Sequence, residues 1–278
     1  MNTAFPFAAA YLLSAGVLDV RFWIGTLFFL VPYNFAMYGI NDVFDYESDL
    51  RNPRKGGVEG AVLDRRLHRI TLWGSVLLCV PFVAYLVSVG SPAASSTLAV
   101  SLFAVAAYSW RGLRFKEIPF LDSLTSSTHF ASPAVYALVL TGASWNLSLV
   151  LVLLAFFCWG IASHAFGAVQ DIQADRQAGL GSIATVLGAR ATSRFALALY
   201  GSAGLSLALA SMTVSQNAWI LLVVAVCALP YVAMVWPFRS LSDDNCEQAN
   251  RGWRRFLAIN FGVGLVVTLA MFASVQFR

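Results

Sequence analysis

Of 278 residues, 59% are apolar and only 12% charged, about half the charged share of a soluble domain, so the bilayer is the solvent for most of the chain. The formal net charge of +4 is small, and its placement along the chain requires no nucleic-acid partner. The start, Met1-Asn2-Thr3-Ala4-Phe5-Pro6, lacks the basic stretch of a secretory signal and further apolar runs follow it, so it is read as uncleaved.

Apolar runs of spanning length lie near 4–18, 22–40, 70–89, 95–110, 118–140, 147–169, 192–212, 217–238 and 255–275. They predict an all-α, polytopic membrane protein of about nine transmembrane helices, the first one short, as if begun at Met1 or truncated. Trp23, Trp110, Trp145, Trp219, Trp236 and Trp253 sit near the ends of runs and suit interfacial belts. Cys79, Cys158, Cys227 and Cys246 lack metal-ligand spacing and read as small packing residues rather than disulfide partners or zinc ligands.

Charge placement tests this topology. Apart from Arg21 and Arg278, every Lys and Arg falls in the loops 41–69, 111–117, 170–191 and 239–254 or within a turn of them. The opposite loops around 90–94, 141–146 and 213–216 carry no charge. By the positive-inside rule the charged side is cytoplasmic, which predicts a multi-pass protein of the cell membrane.

The second apolar run continues into Asn41-Asp42-Val43-Phe44-Asp45-Tyr46-Glu47-Ser48-Asp49. If the helix persists, Asn41, Asp45, Asp49 and Asp42 sit at about 0°, 40°, 80° and 100°, with Glu47 at about 240° and off that face. The sixth run ends in Gln170-Asp171-Ile172-Gln173-Ala174-Asp175-Arg176, where Asp171 and Asp175 form an i, i+4 pair. Both clusters follow even-numbered spans and so emerge on the cytoplasmic side. Like charges crowded on one face repel unless a cation binds there, and Mg²⁺ takes oxygen ligands and commonly bridges a few carboxylates to substrate phosphates. Charge balance with neighbouring Arg and Lys accounts equally well for either cluster alone; two clusters on one side favour a cation site. Arg54 and Lys55 after the first cluster, and Arg114 and Lys116 after the fourth run, stand where a diphosphate would need cations, although positive-inside charge alone accounts for any single one of them.

These residues resemble the UbiA-type superfamily of intramembrane prenyltransferases. Its N-D-x-x-D-x-x-x-D motif matches Asn41, Asp42, Asp45 and Asp49, and its D-x-x-x-D motif matches Asp171 and Asp175. The stretch Tyr108-Ser109-Trp110-Arg111-Gly112-Leu113-Arg114-Phe115-Lys116 is similar to the family's tyrosine-serine-to-lysine segment, with Arg111 or Gly112 where a proline is common. The resemblance covers the whole chain and implies one UbiA-type membrane domain over 1–278. Tyr33-Asn34 through Val62, and Phe120 to Phe130, resemble the carotenoid branch that contains the lycopene elongases.

The resemblance implies an Mg²⁺-dependent enzyme that binds an allylic prenyl diphosphate, dimethylallyl diphosphate in the elongase branch, and a lipophilic, lycopene-like acceptor. Asn41, Asp42, Asp45, Asp49, Asp171 and Asp175 would be metal-binding and catalytic, and Arg54, Lys55, Arg114 and Lys116 would bind diphosphate. Loss of diphosphate would leave an allylic cation, and attack by the acceptor's terminal double bond would leave a tertiary cation, quenched by water or by proton loss. Tyr38, Tyr46 and Tyr108 offer π faces to a cation, or ordinary packing. His129 and His164 are ionisable groups in or beside spans, with substrate contact or a helix–helix hydrogen bond equally open to them. Asp122 reads as structural rather than metal-binding. Two rivals stay open: a UbiA-type enzyme acting on an aromatic, quinone-precursor or glycerol-lipid acceptor, and a cation-coupled transporter, which would place its acidic residues nearer the bilayer midplane.

Overall fold

The computed structural model describes residues 3–50 and 62–276, so Arg54 and Lys55 lie outside the described residues. The described chain is helical: α1 (Ala4–Ala15), α2 (Val20–Leu30), α3 (Pro32–Asp49), α4 (His68–Val89), α5 (Pro92–Ser109), α6 (Leu121–Thr141), α7 (Leu147–Val169), α8 (Ile172–Ala178), α9 (Ile183–Ser211), α10 (Ala218–Val226), α11 (Ala228–Val235) and α12 (Ala249–Gln276). Polar caps start several of them. Asp19 accepts from Phe22 N–H, Ser91 from Ala94 N–H and Asn146 from Leu149 N–H, each meeting a donor that the first helical turn leaves unpaired.

Every predicted apolar run falls mainly on helix, with 16–18 and 118–120 outside it, but among the described residues seven helical segments are long and apolar enough to cross a membrane, not nine. One shortfall is α1, with 12 residues. The other is α6, whose first half carries Asp122, Ser123, Thr125, Ser126, Ser127, Thr128 and His129 in place of aliphatic side chains. The stretch 170–191 is not a loop, because it holds α8 and the first turns of α9.

Contacts divide the chain into two compact units, Met1–Phe115 with Ser132–Ala143, and Lys116–Ala131 with Ser144–Arg278. The first is centred on Phe7, Tyr11, Phe28, Phe29, Tyr33 and Tyr136, all fully buried. Within it α2 breaks at Pro32, which has no N–H to continue the ladder. The Asn34 side chain donates to the Phe29 and Leu30 carbonyls (2.8 and 3.0 Å), so the break leaves them satisfied. The second unit is centred on Phe166, Tyr200, Tyr231, Phe238 and Phe256. Its α12 exposes Phe261, Leu265, Leu269 and Phe272 along one face, a surface that fits lipid and not water.

Candidate diphosphate and metal site

In the first unit, α3 continues as helix through Asp49, so the polar cluster rides on one rigid element. Asn41, Asp42 and Asp45 are partly buried and Asp49 is buried, whereas Glu47 is exposed and pairs with Arg65. The wheel thus separates Glu47 from the other carboxylates as its angle requires.

Two contacts fix this face. The Ser109 hydroxyl, buried at the end of α5, donates to Asn41 Oδ1 at 2.8 Å, which orients the amide. Arg114 then approaches from the turn after α5, with Nη2 3.6 Å from Asp45 Oδ1 and Nη1 3.4 Å from the Phe44 carbonyl. Arg114 has φ 42°, a left-handed conformation uncommon for a side chain of its size, and Gly112 two residues earlier has φ 95°. The segment therefore turns tightly enough to return its guanidinium to α3. Tyr46 carries the Arg65 guanidinium over its ring at 5.0 Å, and His68 meets its edge at 5.0 Å. Tyr38 is exposed on α3, and Tyr108 is half-buried on α5.

In the second unit, Asp171 is the N-cap residue of α8, and the Asp175 N–H donates to its carbonyl at 2.8 Å. The pair therefore keeps helical i, i+4 spacing, but on a short separate helix after a turn at Gln170 and not on a continuation of α7. Gly179, at φ 69°, ends α8. Both Asp171 and Asp175 are partly buried. Lys116 is half-buried in a single helical turn, Phe115–Glu117.

Asp243 holds α8 in place, and no local motif announces it. Its Oδ1 accepts from the Ala189 N–H and its Oδ2 from Arg176 Nη1, both at 2.7 Å, while its carbonyl accepts from the Gln173 side chain at 3.2 Å. Arg176 also donates to the Thr185 carbonyl, from Nε at 3.2 Å and from Nη2 at 2.8 Å. Gly188, at φ 78° and ψ 166°, breaks α9 beside this carboxylate; a Cβ there would lie 2.9 Å from Asp243 Oδ1.

A second buried knot joins α6, α7 and α9. Asp122 and Ser123 are fully buried. Asp122 Oδ1 accepts from its neighbour Ser123 N–H at 2.7 Å, and Oδ2 accepts from Ile183 N–H at 2.8 Å. Asp122 thus caps two helix starts, a structural role. The Ser123 hydroxyl lies 3.1 Å from His164 Nδ1, and His129 is buried one turn further along α6 than Thr125.

Among the described residues, no three His, Cys, Asp or Glu side chains converge into a metal cage. The donors present, carboxylate and amide oxygens on one helical face, nonetheless suit Mg²⁺. That ion needs only one or two protein carboxylates and fills its octahedron with water and phosphate oxygens.

Residues 3–262 match the model of the UbiA prenyltransferase family. The lycopene elongase/hydratase of Corynebacterium glutamicum is 51% identical over 276 residues, 99% of this chain and 94% of that protein. The C(50) beta-cyclic carotenoids biosynthesis protein LbtBC of Dietzia sp. (strain CQ4) is 54% identical over 275 residues, 99% of this chain and 62% of that longer protein. Among solved structures, a UbiA homolog from Aeropyrum pernix K1 superposes with a TM-score of 0.70 at 20% identity, covering 96% of each chain. A UbiA homolog from Archaeoglobus fulgidus bound to DMAPP and Mg²⁺ gives 0.70 at 15% identity, covering 100% of this chain and 96% of that one. The chain is a multi-pass membrane protein that belongs to the UbiA prenyltransferase family.

Proposed function

We propose that this chain transfers a dimethylallyl group from its diphosphate to the end of lycopene or a related carotenoid, the step that lengthens a C40 skeleton towards C50. The observation that carries this reading is 51% identity over 99% of the chain with a lycopene elongase/hydratase. The chain works as one prenyltransferase domain over 1–278, with both aspartate clusters on the cytoplasmic side of the cell membrane, a placement supported by the one-sided distribution of Lys and Arg.

Asn41, Asp42, Asp45 and Asp49 on α3, and Asp171 and Asp175 at α8, are the residues that would hold Mg²⁺. When bound, the ion supplies Lewis-acid neutralisation of the charge that builds on the departing diphosphate. Ser109 keeps the Asn41 amide oxygen oriented, and Asp243 with Gln173 and Arg176 holds α8 at its angle. Arg114 brings a cation to the α3 face, and Lys116, Arg54 and Lys55 add donors for phosphate oxygens. The Tyr38, Tyr46 and Tyr108 rings, with His129 and His164, serve as pocket groups around the allylic carbon. The apolar bundle excludes water from the cation that forms when the C–O bond breaks.

Membranes containing the chain, supplied with Mg²⁺, labelled dimethylallyl diphosphate and lycopene, should release diphosphate and yield a longer carotenoid. Inert lycopene together with prenylation of a quinone precursor or a glycerol lipid would overturn the acceptor assignment. Uptake of substrate into vesicles without diphosphate release would overturn the enzyme itself.

A further inference from the structure

The α6–α7 contact is built as a two-rung ladder within the second unit. On the lower rung the Ser127 hydroxyl donates to the Phe157 carbonyl at 2.7 Å, and Gly160 packs directly against Ser127, where any Cβ would collide. One turn earlier on α6 and one turn later on α7, Ser123 meets His164. Close approach at Gly160 is therefore what brings the Ser123 hydroxyl to the imidazole. Asp122 anchors this end of α6, because both of its carboxylate oxygens are taken by backbone N–H groups. The result is a serine and a histidine in fixed register, with Ser123 fully buried and His164 retaining some accessible surface.

His164 is also seven residues before Asp171. Within α7 it lies five residues, about 7.5 Å along the axis, before the helix ends at Val169, and the turn at Gln170 then leads into α8. An imidazole so placed lies within the membrane-spanning length of α7, before the carboxylates that follow its end, which is where the carbon chemistry occurs if Asp171 marks the diphosphate end.

We propose that His164, positioned by Ser123, is the proton acceptor that ends the transfer reaction. This rests on the prenyl-transfer reading given above. Heterolysis of the C–O bond sends its electron pair to diphosphate. The acceptor's terminal double bond then supplies the pair for the new C–C bond and becomes a tertiary cation. Neutral His164 takes a proton from the carbon next to that cation, and the C–H pair closes a new double bond. Alternatively a water molecule adds its lone pair to the cation and passes its extra proton to His164, leaving a tertiary alcohol. In both outcomes the imidazolium returns its proton to solvent or diphosphate, so the same base serves elongation with or without hydration.

The test uses membranes bearing the full chain, Mg²⁺, dimethylallyl diphosphate and lycopene, with diphosphate release and carotenoid products measured together. In His164→Gln, elongated carotenoid per diphosphate released should fall by about 10²-fold, the lower end for a positioned general base, because the unquenched tertiary cation reverts by breaking the new C–C bond and water captures the allylic cation as free prenyl alcohol. Ser123→Ala, which leaves the imidazole in place, should lower the same yield of elongated carotenoid per diphosphate released, but less. Equal loss of release and product in His164→Gln, with an unchanged yield per diphosphate in Ser123→Ala, would show a merely structural histidine and overturn the proposal. If His164→Gln melts at a lower temperature than the wild type, Ser123→Ala decides alone. Wild-type membranes that leave lycopene untouched would instead refute the prenyl-transfer reading beneath it, a separately visible result.

Discussion

Replacing Asp243 with Ala should disable the second aspartate motif without touching either of its carboxylates. The substitution removes an acceptor 2.7 Å from the Ala189 N–H and another 2.7 Å from Arg176. A hydrogen bond to a charged group contributes about 1.5–3 kcal/mol. The ion pair adds little, about 0.2–1 kcal/mol, because its side chains are 45% and 37% exposed. The expected cost is therefore about 2–4 kcal/mol, concentrated where α8 meets the kink in α9. Because α8 carries Asp171 and Asp175, the loss should appear as a raised Mg²⁺ requirement as well as a lower melting temperature. A shift of about 1 Å in a positioning element can cost about 10²-fold in rate. Asp243→Asn, which keeps an oxygen for Ala189, should lose only the ion-pair share. Prenyl transfer titrated against Mg²⁺, with thermal melts in detergent, measures both effects. Wild-type Mg²⁺ dependence in Asp243→Ala would show that this clamp does not position the motif.

Gly188→Ala should destabilise by about 1–3 kcal/mol, since φ 78° with ψ 166° is a region open essentially to glycine and the new methyl would meet Asp243; a detergent melt checks it. Asp45→Ala and Asp171→Ala should each abolish turnover while the protein still inserts, read by diphosphate release alongside membrane-fraction yield, and retained activity in both would sink the metal assignment. At Asp19, burial pushes the carboxyl up, but hydrogen bonds from the Phe22 N–H, the Tyr11 hydroxyl and Arg21 outweigh it and hold the group below its ordinary value. Its contribution is therefore full above the ordinary carboxylate pKa of about 4 and lost as pH falls through the lower folded value. Melting temperatures taken down a pH series should show that loss, and Asp19→Asn should flatten it.

What the sequence could reveal about this fold depended on whether the deciding interactions were local. The α3 cluster was legible because Asn41, Asp45 and Asp49 share one uninterrupted helix, where angle follows from spacing alone, and exposed Glu47 falls where that angle puts it. The same arithmetic worked for Asp171 and Asp175, yet it could not show that α8 is a separate helix, because the turn at Gln170 has no proline or glycine to mark it. The early start of α9 did leave a local signal. Ser182 and Thr185 form a reciprocal capping box, but Gly188, Arg190 and Arg194 interrupt the apolar run and moved the predicted start to 192. The span expected at α6 falls short for a related reason, since hydroxyls such as Ser123, beside His164, and Ser127, bonded to the Phe157 carbonyl, lower its hydropathy while staying buried.

The supports of the site were the least legible part. Asp122 reaches Ile183 across 61 residues and Asp243 reaches Ala189 across 54. Neither belongs to a spacing motif, because each answers unpaired N–H groups at a helix start or kink that exists only once the helices are packed. Ser109 lay inside a stretch already singled out, and only its 2.8 Å contact with Asn41 gives it a task. Motifs therefore disclose the candidate ligand-facing groups, while the residues that fix their angle answer backbone geometry and stay silent in sequence. This ordering also says where altered chemistry within the fold is most easily concealed. A change at Ser123 or Asp243 leaves both aspartate motifs intact while altering the position of the groups they depend on.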